Sequence, residues 1–205
     1  MFKLNPNKND LILRTIVSKM NPSLELVIGP MFSGKTTELF RCLTTYSNAN
    51  LNVLYVNSTL DSRGENMFST HNSSLSEKQT IPMVKTTRLV DIFDSIKNVD
   101  VIGIDEAQFF EDLVEFCTLA VEKHKKSVIV SGLNGTSDRT TFGAINLLIP
   151  LCDNVIFLRS FCHYCAKEKK IVHAPFSKRI VDVKSTVCVG GVGKYVPTCR
   201  SHFET

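Results

Sequence analysis

The stretch Leu24-Glu25-Leu26-Val27-Ile28-Gly29-Pro30-Met31-Phe32-Ser33-Gly34-Lys35-Thr36 decides the fold. Residues 24–28 form an apolar run of strand length, Gly29 to Thr36 fits G-x-x-x-x-G-K-[ST], and residues 36–46 have the length of a helix. A strand that turns through glycines into a helix gathers backbone N–H groups at the helix amino end and concentrates positive potential there. In that reading Lys35 reaches the outer phosphates of a nucleotide, Thr36 holds Mg²⁺, and Gly34 leaves room for a phosphate to approach the backbone. A chance glycine turn before a helix is the plain alternative, and the agreement of spacing with context weighs against it.

Outward from this stretch, short aliphatic runs alternate with longer segments. Strands are predicted over 24–28, 53–57, 81–85, 99–105, 127–133 and 154–158, and helices over 36–46, 87–97, 111–125 and 142–152. Continuous apolar strands separated by helices predict an α/β fold, a parallel sheet with helices on both faces. Near residue 160 Cys, His, Lys, Val and Gly replace the alternation. Three parts are therefore expected: an amino-terminal extension over 1–21, an α/β domain over 22–160, and a small metal-binding domain over 161–205. Residues 63–80, rich in Ser, Asn and Thr, read as a long loop that orders on ligand binding.

The chain has 205 residues, 43% hydrophobic and 21% charged, which suffices for a core and is too short for two full nucleotide-binding domains. Its net charge of +4 suits an anionic small ligand and falls short of the basic stripe of a polymeric nucleic-acid binder. No apolar run approaches the roughly 20 residues of a membrane span, and the amino end lacks the pattern of a secretory signal, so a cytoplasmic protein with no membrane partner is expected. Seven cysteines, an odd number, then stay reduced, and metal binding or core packing must account for them.

Two constellations carry further chemistry. Val101-Ile102-Gly103-Ile104 runs into Asp105 and Glu106, and carboxyl ends of parallel strands line the ligand crevice. Asp105 would then approach the Mg²⁺ beside Thr36, leaving Glu106 to accept the proton of an attacking hydroxyl or to position a water. Cys162-x₂-Cys165 and, later, Cys199-x₂-His202 have the paired spacing of a structural zinc ribbon. A closed four-ligand site fastens a segment too small for its own core. Cys42, Cys117, Cys152 and Cys188 lack such partners and are expected in core or wall positions.

Between the two knuckles, Val187-Cys188-Val189-Gly190-Gly191-Val192-Gly193-Lys194-Tyr195 joins an extended run to a flexible turn and an aromatic ring. Its backbone could read the edge of a base while Tyr195 covers a sugar; a glycine turn in a β-hairpin is the equally ordinary alternative.

Taken in order, Gly29 to Thr36, Asp105-Glu106-Ala107-Gln108-Phe109-Phe110, Phe142-Gly143-Ala144-Ile145, Ser177-Lys178-Arg179, Gly190-Gly191 with Lys194-Tyr195, and the two knuckles resemble the thymidine kinases of the cellular and poxvirus type. The resemblance implies a P-loop NTPase-like α/β domain with a zinc-bound lasso domain, assembled as a homotetramer. It implies transfer of the γ-phosphoryl of ATP to the 5′-hydroxyl of thymidine, with deoxyuridine as a further acceptor and thymidine triphosphate as a candidate feedback inhibitor. By this resemblance Glu106 is the general base, with Lys35 and Arg63 completing the catalytic set. Asp61-Ser62-Arg63 and Asp105-Glu106-Ala107-Gln108 join the phosphate loop on the nucleotide side. Met31, Phe109, Leu133, Ser137, Phe142 and Ser177 wall the nucleoside pocket, and Thr186-Val187-Cys188-Val189-Gly190 with Tyr195 form the lasso. An apolar core position is the alternative for Leu133 and Phe142. Ser137 stands where the family commonly carries Phe, removing ring area from the pocket, and Asn134 replaces an Asp. His202 serves where many relatives use a fourth cysteine, and the stretch from Cys165 to Ser177 is longer than typical.

Two other functions compete. The Asp105-Glu106-Ala107-Gln108 run also resembles the acidic box of helicases, which would make the chain a nucleic-acid-stimulated ATPase; the missing second domain speaks against it. A non-catalytic nucleotide sensor is the other, and the intact Glu106 weighs against it.

Overall fold

The computed structural model describes residues 21–61, 81–181 and 193–204. Residues 1–20, most of the expected extension, lie outside the described residues, as do Ser62, Arg63 and the rest of the expected loop to Thr80, and Thr186 to Gly190 of the expected lasso. Among the described residues, six parallel strands form the central sheet: β1 (Leu24–Ile28), β2 (Val53–Ser58), β3 (Met83–Thr86), β4 (Val101–Ile104), β5 (Ser127–Gly132) and β6 (Asn154–Phe157). Their spatial order is β3-β2-β4-β5-β1-β6.

Successive residues along a strand face opposite sides, so continuous apolar strands feed two cores. Leu26, Ile28, Leu54, Val56, Ile102, Ile104, Val128 and Val130 pack on one face with Phe110, Leu113, Phe116, Ile145 and Leu148. Val27, Val53, Tyr55, Val101 and Ile129 pack on the other with Leu39, Phe40 and Leu43 of helix α1 (Lys35–Asn48). Each fully buried aliphatic side chain contributes roughly 1.5–3 kcal/mol. The expected α/β fold with both faces covered is therefore present.

The helix expectations fare unevenly. Residues 111–125 hold a short helix α2 (Leu113–Thr118) that widens into a π-turn at Leu119–Lys123, where the His124 N–H donates to the Leu119 carbonyl at 3.0 Å. Over 87–97 only a 3₁₀ turn forms, Leu89–Ile92, and the Val90 N–H is taken by Asp112 Oδ2 at 2.9 Å. Over 142–152 the chain is a 3₁₀ helix, Ile145–Leu151, containing Pro150, which has no N–H to donate. In both places tight turns still deliver Leu89, Ile92, Ile145 and Leu148 to the core, so the apolar spacing was read correctly and the helix type was not.

After β6 the strands shorten and turn antiparallel. β7 (Ser160–Phe161) pairs with β8 (His173–Ala174), and β9 (Phe176–Arg179) with β10 (Tyr195–Thr198). Helix α3 (His163–Lys167) starts directly after Cys162, and α4 (Arg200–Phe203) directly after Cys199. Among the described residues no helix is long and apolar enough to cross a membrane.

Candidate active site

The carboxyl ends of β1, β4 and β5 bring the site together. After β1 the loop folds back on itself through left-handed backbone at Phe32 (φ 62°) and at Gly34 (φ 86°), and a Cβ at Gly34 would meet open space. The Pro30 carbonyl accepts from Ser33 Oγ at 2.9 Å and from Lys35 Nζ at 2.7 Å, so the ammonium lies across the loop mouth where phosphates are expected. Thr36, the second residue of α1, donates from Oγ1 to Asp105 Oδ2 at 2.8 Å.

Asp105 is 3% exposed and fully engaged. Oδ2 also accepts from the Tyr55 hydroxyl at 3.0 Å, while Oδ1 accepts from Ser131 Oγ at 2.9 Å and from the Glu106 N–H at 3.0 Å. Burial, and then the adjacent Glu106 carboxylate, push the Asp105 carboxyl above its usual range, against the lowering by hydrogen bonds from Thr36, Ser131 and the Glu106 backbone. The Tyr55 phenol is raised as well, by burial and then by Asp105, which keeps it a donor. A buried carboxylate beside a threonine hydroxyl is the hard-oxygen pair that suits Mg²⁺. Asp61, 3% exposed, accepts from Asn57 Nδ2 at 3.0 Å, near enough to Tyr55 to raise it electrostatically.

Glu106 leaves β4 with left-handed backbone, φ 49° and ψ 40°. Its Oε2 accepts from Gln108 Nε2 at 2.6 Å, and Gln108 Oε1 accepts from the Leu133 N–H at 2.9 Å. Ala107 and Gln108 are buried, whereas Phe109 is half-buried and meets Phe142 edge-on at 5.7 Å. Leu133 and Phe142 are also half-buried and stand outside the core clusters, which answers the core alternative raised for them.

The segment after residue 160 closes on this loop. The Met31 N–H donates to Ser177 Oγ at 2.9 Å. A cavity of about 310 Å³ lies beside this contact, lined by Pro30, Asn134, Thr136, Arg139, Phe157 and Ser177 among others. Ser137 sits half-buried in the tight loop closed by the Gly135–Thr141 bridge. Tyr195 is buried at 8% exposure, with the Arg179 guanidinium 5.7 Å from its ring centre.

Cys162, Cys165, Cys199 and His202 present three sulfurs and a ring nitrogen that all lie within 4.8 Å of one another. Cys165 Sγ and Cys199 Sγ are 4.0 Å apart, and His202 Nδ1 is 3.4 Å and 3.3 Å from them. Zinc–sulfur bonds of about 2.3 Å in a tetrahedron place sulfurs about 3.8 Å apart, so the donor set fits zinc. Burial alone would raise the Cys162 thiol, yet backbone donors from Cys165, Cys199 and Tyr164 outweigh it and bring the thiol down. Cys165 is instead raised to about 11, by burial and then by hydrogen bonds with Cys162 and Cys199, so Cys162 is the readier thiolate of the two. All three cysteines are free of disulfides. Elsewhere, Cys42 and Cys117 are buried and Cys152 packs against the core, as expected, while Cys188 lies outside the described residues.

Sequence reasoning missed Tyr55 and Ser131 as partners of Asp105, the Gln108 bridge, and Arg139. A signal existed for Ser131, a polar residue near the carboxyl end of an otherwise apolar, buried strand, whereas Tyr55 lies mid-strand and reads as core. Arg139 lies over the Phe203 ring at 4.4 Å and reaches Glu204 at 3.6 Å, a long-range pairing with no local signature.

A parallel sheet with a glycine loop, lysine and threonine at the end of β1, and a buried aspartate at the end of β4 facing that threonine, defines a P-loop phosphate-binding protein. The chain belongs to the thymidine kinase family, whose family model, "Thymidine kinase", matches residues 22–203. Among curated relatives, human "Thymidine kinase, cytosolic" is 38% identical over 183 residues, covering 89% of this chain and 74% of that protein. Raccoon poxvirus "Thymidine kinase" is 40% identical over 180 residues, 88% of this chain and 96% of that protein. The enzyme of that name from vaccinia virus (strain Western Reserve) is 39% identical over 180 residues, with 88% and 96% covered.

Proposed function

We propose that this chain transfers the γ-phosphoryl of ATP to the 5′-hydroxyl of thymidine, giving thymidine 5′-monophosphate and ADP. The observation that supports the reading is the junction of Thr36 with Asp105 at 2.8 Å, which brings the residue preceding Glu106 against the helix that follows the phosphate loop. Relatives named thymidine kinase at 37–40% identity over most of the chain supply the acceptor.

Glu106 takes the proton of the 5′-hydroxyl as its oxygen attacks the γ-phosphorus, and the β–γ bridging oxygen leaves with ADP. Lys35 and Arg63 neutralise the charge that builds on the transferring group. Thr36 and Asp105 would hold Mg²⁺, which supplies charge neutralisation across the phosphates. Cys162, Cys165, Cys199 and His202 would hold zinc, which supplies folding energy to a segment with little core. Met31, Phe109, Leu133, Ser137, Phe142 and Ser177 wall the nucleoside side, while Thr186 to Gly190 with Tyr195 cover the nucleoside and exclude water. On this reading 22–160 is the kinase domain and 161–205 the zinc-bound lasso domain, and the protein works in the cytoplasm. Deoxyuridine, which differs from thymidine by one methyl, is a further acceptor, and thymidine triphosphate, which carries both the base and a phosphate chain, is a feedback ligand. Assembly as a homotetramer belongs to the same reading; the exposed Val155 and Phe157 on edge strand β6 support association of copies.

The test is product analysis after incubation with ATP, Mg²⁺ and either thymidine or single-stranded DNA. Thymidine-dependent ADP with an equal amount of thymidine monophosphate is the expected result. Phosphate release stimulated by DNA would point to an ATPase, and no turnover with either to a sensor.

A further inference from the structure

We propose that Gln108 is a positioning residue for the reaction, a rigid amide strut that fixes the Glu106 carboxylate against the end of β5. The inference rests on Glu106 acting as the general base. Gln108 is 4% exposed, and each end of its amide has a different task. Oε1 accepts from the Leu133 N–H at 2.9 Å, and because a backbone N–H can only donate, this bond fixes which end of the amide is oxygen. Nε2 must then face Glu106, and it donates to Oε2 at 2.6 Å, the short distance of a charge-assisted bond.

The surroundings are shaped for this side chain. A Cβ at Gly132 would stand 2.6 Å from Gln108 Oε1 and 2.7 Å from Ile145 Cδ1. Gly143 adopts φ +56°, and a Cβ there would collide with the Gln108 carbonyl oxygen. Gly132 thus clears the space in which the amide bridges, and Gly143 lets its own loop lie against the Gln108 backbone. Glu106 needs such a strut, because its left-handed backbone is costly for a residue with a side chain and its neighbour Asp105 is another carboxylate. Asparagine is one methylene too short to span both contacts, and glutamate keeps the acceptor while losing the donor. Since the far end is anchored at Leu133, a wall of the proposed nucleoside pocket, the strut ties the base to the wall that positions its target hydroxyl. Misplacement of a catalytic group by about 1 Å costs on the order of a hundredfold in rate.

The test is a kinetic double-mutant cycle on the full chain. Gln108→Glu keeps an oxygen for Leu133 but sets a further buried carboxyl against Glu106, so its melting temperature should fall and kcat is read on the folded fraction well below the melting temperature. Its kcat should fall about 10- to 100-fold while KM for ATP and for thymidine each stay within about twofold. In the Glu106→Gln background the same change should cost nothing further, because a residue acting through Glu106 has nothing left to position. Gln108→Met, which keeps length and loses both polar atoms, runs the same cycle should the acid disturb folding. Wild-type kcat in the Gln108 variants, or losses that multiply in the double variant, would overturn the proposal. Near-full turnover of Glu106→Gln would instead remove the base assignment itself, so the two failures read differently.

Discussion

The backbone N–H of Met31 and the hydroxyl of Ser177, 146 positions apart in sequence, meet at 2.9 Å. That contact joins the phosphate loop after β1 to strand β9, and β9 pairs with β10, which runs directly into Cys199. Arg139 adds a second tie from the loop after β5, stacking over Phe203 beside His202 of the cysteine–histidine cluster. The cysteine–histidine cluster is thereby fastened to the loop that would carry the phosphates.

Replacing Ser177 by Ala removes the acceptor for the Met31 N–H. A lost hydrogen bond of this kind costs about 0.5–1.5 kcal/mol, so the melting temperature should fall modestly. KM for thymidine should rise more than KM for ATP if Met31 walls the nucleoside side as proposed. Equal shifts in both constants would place the contact outside nucleoside recognition.

The purified chain should carry one zinc, measurable by elemental analysis. Cys199→Ala should lose that metal and raise KM for thymidine before it weakens ATP binding, since the cluster adjoins the end of β10. Parallel loss of both substrates would mean that the metal holds the whole chain together.

Asp105 gives a pH dependence with a defined sign. Its carboxyl is raised on folding from an ordinary value of 3.8, by burial first and by Glu106 second. The folded chain then binds the proton more tightly than the unfolded one. The stabilisation is fully present below about pH 4 and is lost as pH rises through the raised value. Without divalent cations, the stability of Asp105→Asn relative to wild type should therefore improve as pH rises above the ordinary carboxyl value of 3.8. Mg²⁺ with ATP should stabilise the wild type and not the variant. A stability difference that stays flat with pH, measured by denaturant titration, contradicts this account of Asp105.

Gly143→Ala should destabilise the chain by about 1–3 kcal/mol, because φ is +56° and the new methyl meets the Gln108 carbonyl. Since Gln108 must move, kcat should fall as well. Unchanged melting and turnover would show that the 143 loop yields freely.

Much of this was legible in the sequence because one physical signal, burial on both faces, marks strands such as Leu26-Val27-Ile28 and Val128-Ile129-Val130 without help from distant residues. The phosphate loop, the Asp105–Glu106 pair and the clustering of Cys162, Cys165, Cys199 and His202 were legible because such chemistry imposes fixed local spacing. What escaped depends on partners far along the chain. Over 87–97 the first-turn N–H of Val90 is capped by Asp112, a partner 22 positions away that no local pattern reveals. Ser131 reads as an ordinary polar interruption until Asp105 is seen 2.9 Å away. Gln108 reads as a companion of the acidic pair until Leu133 is found at its other end.

The central claim is that Glu106 faces a nucleoside 5′-hydroxyl brought in line with the terminal phosphate held by Lys35. The most direct measurement is a crystal structure of the protein with thymidine and a non-hydrolysable ATP analogue. The account predicts the thymidine O5′ within about 2.6–3.2 Å of a Glu106 carboxylate oxygen, with the γ-phosphorus on its other side. Thymidine bound with O5′ beyond hydrogen-bond reach of Glu106, or turned away from the γ-phosphate, would contradict it.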